Sequence, residues 1–134
     1  MKIFATYNIK SGFGKTAAAV NLTYLSARSG YRTLVWDLDA QGAATYYFGV
    51  EAYIKGGSEK LLRRKRNLPK AIRATSYENI DLIPSDFSLR NLDIALTDEK
   101  NPQRHLKKLL YSVQDNYDVV ILDRAPTILL ASEN

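Results

Sequence analysis

Apolar and polar positions along the chain fall into a few distinct runs. Residues 2–8 (KIFATYN) place β-branched and aromatic residues ahead of a loop rich in small residues, the pattern of a short strand. From Lys15 to Ser29, Ala18, Leu22 and Leu25 recur at spacings of four and three. That spacing predicts a helix with these three residues as its apolar stripe, and Gly30 stands where a C-cap glycine belongs. Thr33 to Asp37 (TLVWD) is a near-continuous apolar run, as expected of a strand covered on both faces. Strand, helix and strand together make a βαβ unit.

Further on, Gly42 to Phe48 reads as a short helix and Gly56-Gly57 as a loop. Lys60 to Thr75 reads as one or two basic helices, with Pro69 opening a new turn. Ile80 to Ile83 (IDLI) is a short strand ended by Pro84-Ser85, and Ser85 or Asp86 caps a helix running to Leu96. Pro102 opens another helix, with Leu106, Leu109, Leu110 and Val113 on one stripe. Asp118 to Asp123 (DVVILD) is a buried strand. This alternation indicates an α/β fold, doubly wound around a mostly parallel sheet. No repeat, low-complexity tract or linker divides it, so residues 1–134 read as a single domain. After Asp123 come Ala125-Pro126 and ILLASEN, an apolar start with no helix to finish it, and Asn134 reads as a truncation point.

Composition narrows the class. With 134 residues, 46% hydrophobic and 25% charged, the chain has the make-up of one soluble globular domain. No run of about 18 apolar residues would span a bilayer, and the first residues are interrupted too early to be a secretory signal. The absence of cysteine excludes disulfides and thiolate metal sites. A cytoplasmic protein with no membrane partner is expected.

The formal net charge of +5 is concentrated. Between Lys55 and Arg73 eight basic residues (Lys55, Lys60, Arg63, Arg64, Lys65, Arg66, Lys70, Arg73) face one acidic residue, Glu59, which leaves the remainder of the chain net negative. Such a run is either a solvated helical face or a nonspecific contact with DNA phosphates, which would be strongly salt-dependent. His105, the only histidine, is expected on a polar helix face without companions, which argues against a metal role. Tyr46, Tyr47 and Phe48 either stack on a base or pack in the core or on a partner.

Lys10-Ser11-Gly12-Phe13-Gly14-Lys15-Thr16 carries the strongest chemical signal, lying between a strand and a helix. A phosphate chain needs several backbone N–H groups converging on it, so the loop must approach closely, and Gly12 and Gly14 supply the freedom to do so. The positive end of the following helix points at the phosphates. Lys15 reaches β- and γ-phosphate oxygens, and the Thr16 hydroxyl ligates Mg²⁺. The ordinary P-loop requires glycine five residues before Gly14, where this chain has Ile9.

A variant with a second lysine at the loop's start fits instead. The chain here resembles the ParA/MinD family of deviant Walker A ATPases, and most of all its ParA/Soj branch. The blocks NIKSGFGKTAAAVNL, LVWDLDAQGAAT, DLIPSDFSL and YDVVILDRAPT occur in the family's order and at about its spacing. The resemblance reaches through most of the chain but covers about the first half of a typical member. It implies a P-loop NTPase sheet, ATP and Mg²⁺ as cofactors, and a nucleotide cradle of Lys10, Ser11, Gly12, Phe13, Gly14, Lys15, Thr16 and Ala17. By the same resemblance, Lys15 is the phosphate-binding lysine and Lys10 reaches across a dimer interface to the partner's nucleotide. Asp37-Leu38-Asp39-Ala40-Gln41 is similar to the family's DxDxQ motif, in which Asp39 positions or activates the attacking water. Asp123 matches the Walker B aspartate, and Thr16, Asp39 and Asp123 form the metal set. The scheme is that of phosphoryl transfer by positioning, metal and fixed cations.

Two residues depart from the pattern. Ser11 replaces the usual first glycine of the loop. Arg124 follows the Walker B aspartate where the family has a small or uncharged residue, and either pairs with Asp123 and competes with metal or touches phosphate. The resemblance therefore implies an ATP-binding, ATP-hydrolysing partitioning protein that segregates DNA or positions cargo as an ATP-dependent homodimer, with a ParB-like stimulating partner and nonspecific DNA contact. The alternative is an ATP-dependent binding switch, or an inactive fragment, with little or no turnover. A MinD-type membrane role fits the DLDAQG block less well.

Overall fold

Among the described residues, five strands form one sheet in the order β1-β5-β2-β4-β3. They are β1 (Lys2–Thr6), β2 (Thr33–Leu38), β3 (Arg73–Ala74), β4 (Ile80–Ile83) and β5 (Val119–Arg124). The helices are α1 (Phe13–Arg28), α2 (Ala43–Tyr47), α3 (Gly57–Leu62) and α4 (Pro102–Leu110), with short 3-10 turns at Leu68–Ala71, Phe87–Asn91 and Tyr111–Val113. This computed structural model describes residues 1–6, 13–63, 67–91 and 102–124, with backbone alone at 13–17, 91 and 102–103. β1, β5, β2 and β4 are mutually parallel, and only β3 runs antiparallel, against β4.

Side-chain alternation along the strands sorts the core onto two faces. On one face, Val35, Ile80, Leu82, Val119 and Ile121 meet Ala19, Val20 and Ala27 of α1. On the other, Leu34, Trp36, Leu38, Val120 and Leu122 meet Leu61 and Leu62 of α3 and Leu106, Leu109 and Leu110 of α4. With helices on both faces, β2 and β5 are buried along their whole length, which is why both read as unbroken apolar runs. The expected doubly wound, mostly parallel α/β sheet is present.

The expected helix after the loop begins two residues early, and its cap is as anticipated. Gly30 has a φ of 93°, its N–H reaches the Ala27 carbonyl at 3.0 Å, and the Tyr31 N–H reaches that of Ser26 at 3.2 Å. The apolar stripe is the correction. Ala18, Leu22 and Leu25 are exposed, and the buried face carries Ala19, Val20, Thr23 and Ala27. The two stripes share a spacing of about four residues and lie one residue apart, so periodicity alone does not choose between them. Small side chains at 19, 23 and 27 let the helix approach β5 and β2 closely.

Other boundaries differ for local reasons. The basic segment holds α3, the turn begun at Pro69 and the two-residue strand β3, rather than one or two helices to Thr75. The helix expected from Ser85 or Asp86 to Leu96 is, within the described residues, a 3-10 turn over Phe87–Asn91. Asp86 Oδ1 accepts the Ser88 N–H at 3.1 Å and the Ser88 hydroxyl at 2.7 Å, which closes a turn locally. On α4 and the 3-10 turn that follows it, the predicted stripe of Leu106, Leu109, Leu110 and Val113 is buried. His105 is also buried, where a polar face was expected, and its Nε2 meets the Leu62 carbonyl at the end of α3.

Candidate functional site

The four parallel strands end together, at Thr6, Leu38, Ile83 and Arg124, and in open α/β sheets ligands bind at this carboxyl edge. In register, Thr6 lies opposite Asp123, and Asp123 lies opposite Asp37. Since Val35, Val119 and Ile121 face α1, alternation turns Asp37 and Asp123 to that same face. Thr6 faces the same way, its hydroxyl 3.5 Å from Asp123 Oδ1 and 3.4 Å from the Leu122 carbonyl. α1, the helix on that face, starts at Phe13, so Lys15 and Thr16 occupy its first turn.

Both carboxylates are fully buried. Asp37 accepts three donors: the Asp39 N–H at 3.1 Å, the Thr45 N–H at 2.9 Å and the Thr45 hydroxyl at 2.6 Å. Burial nevertheless dominates and pushes Asp37 up to about 6; the Thr45 and Asp39 donors offset part of this, and the negative charge of Asp123 adds to it.

The segment after β2 is held by a clasp from β4. Asp39, half-buried, accepts the Gln41 N–H on Oδ1 at 2.9 Å. Its backbone carbonyl accepts the Gly42 N–H at 2.9 Å and the Ser85 hydroxyl at 2.6 Å. The Ser85 N–H in turn donates to the Thr45 hydroxyl at 2.9 Å. Gly42 has a φ of 68°, which glycine adopts without the steric cost a Cβ brings, and it packs against Ser85.

Of the residues expected in the site, Asp39 and Asp123 come to the same edge, and Phe13, Gly14, Lys15, Thr16 and Ala17 open α1. Lys10, Ser11 and Gly12 lie outside the described residues. Arg124 is buried at the end of β5, opposite Leu38, and alternation puts it on the sheet face away from Asp123. Asp37 and Asp123 bring two buried carboxylates, hard oxygen donors of the kind Mg²⁺ takes, to this edge. Asp37 is noticeable in the sequence only as part of a motif, as are Thr45 and Ser85 within their blocks, and nothing there pairs them with one another or singles out Thr6. Their partners are too distant along the chain for spacing to reveal.

The basic segment is partly committed to local structure. Arg63 pairs with Glu59 at 3.3 Å, and Arg73 donates to the carbonyls of Lys70 and Ile72. Lys55, Lys60 and Lys70 are exposed; residues 64–66 lie outside the described residues. Phe48 is buried, whereas Tyr46 and Tyr47 are exposed. Among the described residues no helix is long and apolar enough to cross a membrane.

A family model described as an AAA domain matches residues 1–134. The chain is 37% identical over 134 residues to the sporulation initiation inhibitor protein Soj of Bacillus subtilis, covering 99% of this chain and 53% of that one. It is 32% identical over 133 residues to the chromosome-partitioning ATPase Soj of Treponema pallidum, covering 99% and 52%. Among solved structures, cobyrinic acid a,c-diamide synthase from Mycobacterium smegmatis with a bound ATP analogue and magnesium superposes with a TM-score of 0.85 at 25% identity, over 98% of this chain and 55% of that one. The chain thus spans about half the length of the curated relatives it matches.

Proposed function

The chain belongs to the AAA-domain family, as a P-loop ATPase of the ParA/MinD type, and from that premise we propose that it binds ATP with Mg²⁺ and hydrolyses it in a DNA-partitioning or cargo-positioning cycle. The observation that carries this reading is the rung Thr6–Asp123–Asp37 at the carboxyl edge of the sheet, facing the helix that opens with Lys15 and Thr16. Residues 1–134 then act as one P-loop nucleotide-binding domain.

In this reading Lys10 to Ala17 cradle the phosphates, Lys15 holds their β- and γ-oxygens, and Thr16, Asp123 and Asp39 hold Mg²⁺. Bound Mg²⁺ supplies charge neutralisation along the phosphates. Asp39 orients the attacking water from the end of β2. Lys10 reaches the nucleotide of a partner copy, so the ATP-bound form is a homodimer. The exposed cations between Lys55 and Arg73 contact DNA phosphates, and a ParB-like protein stimulates release.

Arg124 is the residue that raises the alternative of a switch without turnover. Its position on the sheet face away from Asp123 speaks against direct competition for metal and supports the hydrolytic reading. Titration with labelled ATP, with Mg²⁺ and with chelator, together with phosphate release, tests the proposal. Saturable binding and Mg²⁺-dependent release are expected, and a chain that binds no nucleotide overturns the reading.

A further inference from the structure

We propose that Ser85, at the end of β4, is a positioning residue for Asp39. This rests on the reading of Asp39 as the carboxylate that orients water. Asp39 lies past the end of β2, where ladder hydrogen bonds no longer fix the backbone, so something else must hold it. Among the described residues the Asp39 carbonyl accepts the Gly42 N–H from within its own turn and the Ser85 hydroxyl from the segment just after β4. Of these two, the second ties the turn to the segment that leaves β4.

The tie is one half of a two-point clasp. The Ser85 N–H donates to the Thr45 hydroxyl, which donates onward to buried Asp37. Asp37 Oδ1 accepts the Asp39 N–H. The Asp39 backbone is therefore held at its N–H by Asp37 and at its carbonyl by Ser85, with Thr45 linking the two anchors. Ser85 is buried and sits close to Gly42: a Cβ at position 42 would meet the Ser85 Cβ at 3.6 Å, an ordinary packing contact.

A carboxylate that orients water works through placement, and a small misplacement lowers turnover without weakening ligand binding. Ser85→Ala keeps the backbone N–H bond to Thr45 and removes only the hydroxyl on Asp39. We expect phosphate release to fall about tenfold at saturating ATP while KM stays within about twofold. Amide hydrogen exchange at Gln41 and Gly42 should accelerate in the same variant, which a loss of overall folding would not confine to that turn.

The experiment compares the full chain, Asp39→Ala and Ser85→Ala for phosphate release, KM and exchange at the 39–42 turn. If Asp39→Ala releases phosphate like the wild type, the reading of Asp39 as the water-orienting carboxylate falls, and the role of Ser85 with it. If Asp39→Ala is inactive while Ser85→Ala keeps wild-type turnover and exchange, the reading stands and the role of Ser85 is overturned. Reduced turnover at constant KM, with faster exchange at Gln41 and Gly42, supports it.

Discussion

The Thr45 hydroxyl bridges Asp37 and Ser85, donating to the Asp37 carboxylate at 2.6 Å and accepting the Ser85 N–H at 2.9 Å. All three residues are buried, so no water replaces a missing partner. Valine at position 45 keeps the shape but removes both bonds, and should cost about 3 kcal/mol of stability. Serine keeps the hydroxyl and should cost about 1 kcal/mol for the missing methyl. Urea denaturation of the two variants checks the difference, and equal losses would show that packing, not the bridge, sets the cost.

Lys15 lies in the first turn of α1, the helix packed on the face that carries Asp37 and Asp123. Lys15→Ala should abolish binding of labelled ATP while leaving the far-ultraviolet circular dichroism unchanged. Binding that persists at wild-type strength would remove the loop from the site.

Lys10, at the start of the cradle, is proposed to act across the interface of the assembled dimer. Lys10→Ala should retain ATP binding by the single chain and lose ATP-dependent dimerisation, read by light scattering in the presence of Mg²⁺. A variant that dimerises normally would restrict Lys10 to its own nucleotide.

At the opposite edge of the sheet, Arg32 and Asp118 join the starts of β2 and β5. The Asp118 carboxylate accepts the Arg32 backbone N–H at 2.8 Å and its guanidinium at 3.2 Å. Hydrogen bonding from the Arg32 side chain, then from its backbone, holds Asp118 below the usual carboxylate range. A depressed folded-state pKa contributes stability above the unfolded value, lost as pH falls through the folded one. Arg32→Gln should therefore be less stable than wild type at neutral pH, and the two should converge in acid. The gap is small because the pair is exposed. Urea midpoints from about pH 7 down to about pH 3 test this, and a gap that persists in acid would contradict it.

For the basic segment, neutralising Arg63, Arg64, Lys65 and Arg66 should weaken binding to duplex DNA of any sequence. The slope of log affinity against log salt should drop by about 0.9 for each phosphate that is no longer neutralised. Fluorescence anisotropy at several salt concentrations measures both. No DNA binding by the wild type at low salt would end this reading.

Elements that bury one clear face, or that are apolar and buried on both, are legible in the sequence. The α4 stripe and the DVVILD strand emerge where expected because long apolar contrast leaves one solution. β3 does not, since two residues with Arg73 half-buried carry no period. The buried side of α1 is not legible because small residues, not large ones, make its contact with the sheet. Within the site, Asp39 and Asp123 stand out through motifs at strand ends. The Asp37–Thr45–Ser85 bridge does not, because its bonds span 8 and 40 positions and depend on strand order.

Six residues are too few to sustain α3 by themselves. Both of its ends are held from distant parts of the chain. Asp86, after β4, accepts the Ser58 N–H at 2.7 Å, and His105 of α4 meets the Leu62 carbonyl. This short helix is therefore expected to form late in folding, once the flanking elements have docked. Damage to either tether should speed unfolding while leaving the rate of folding almost untouched.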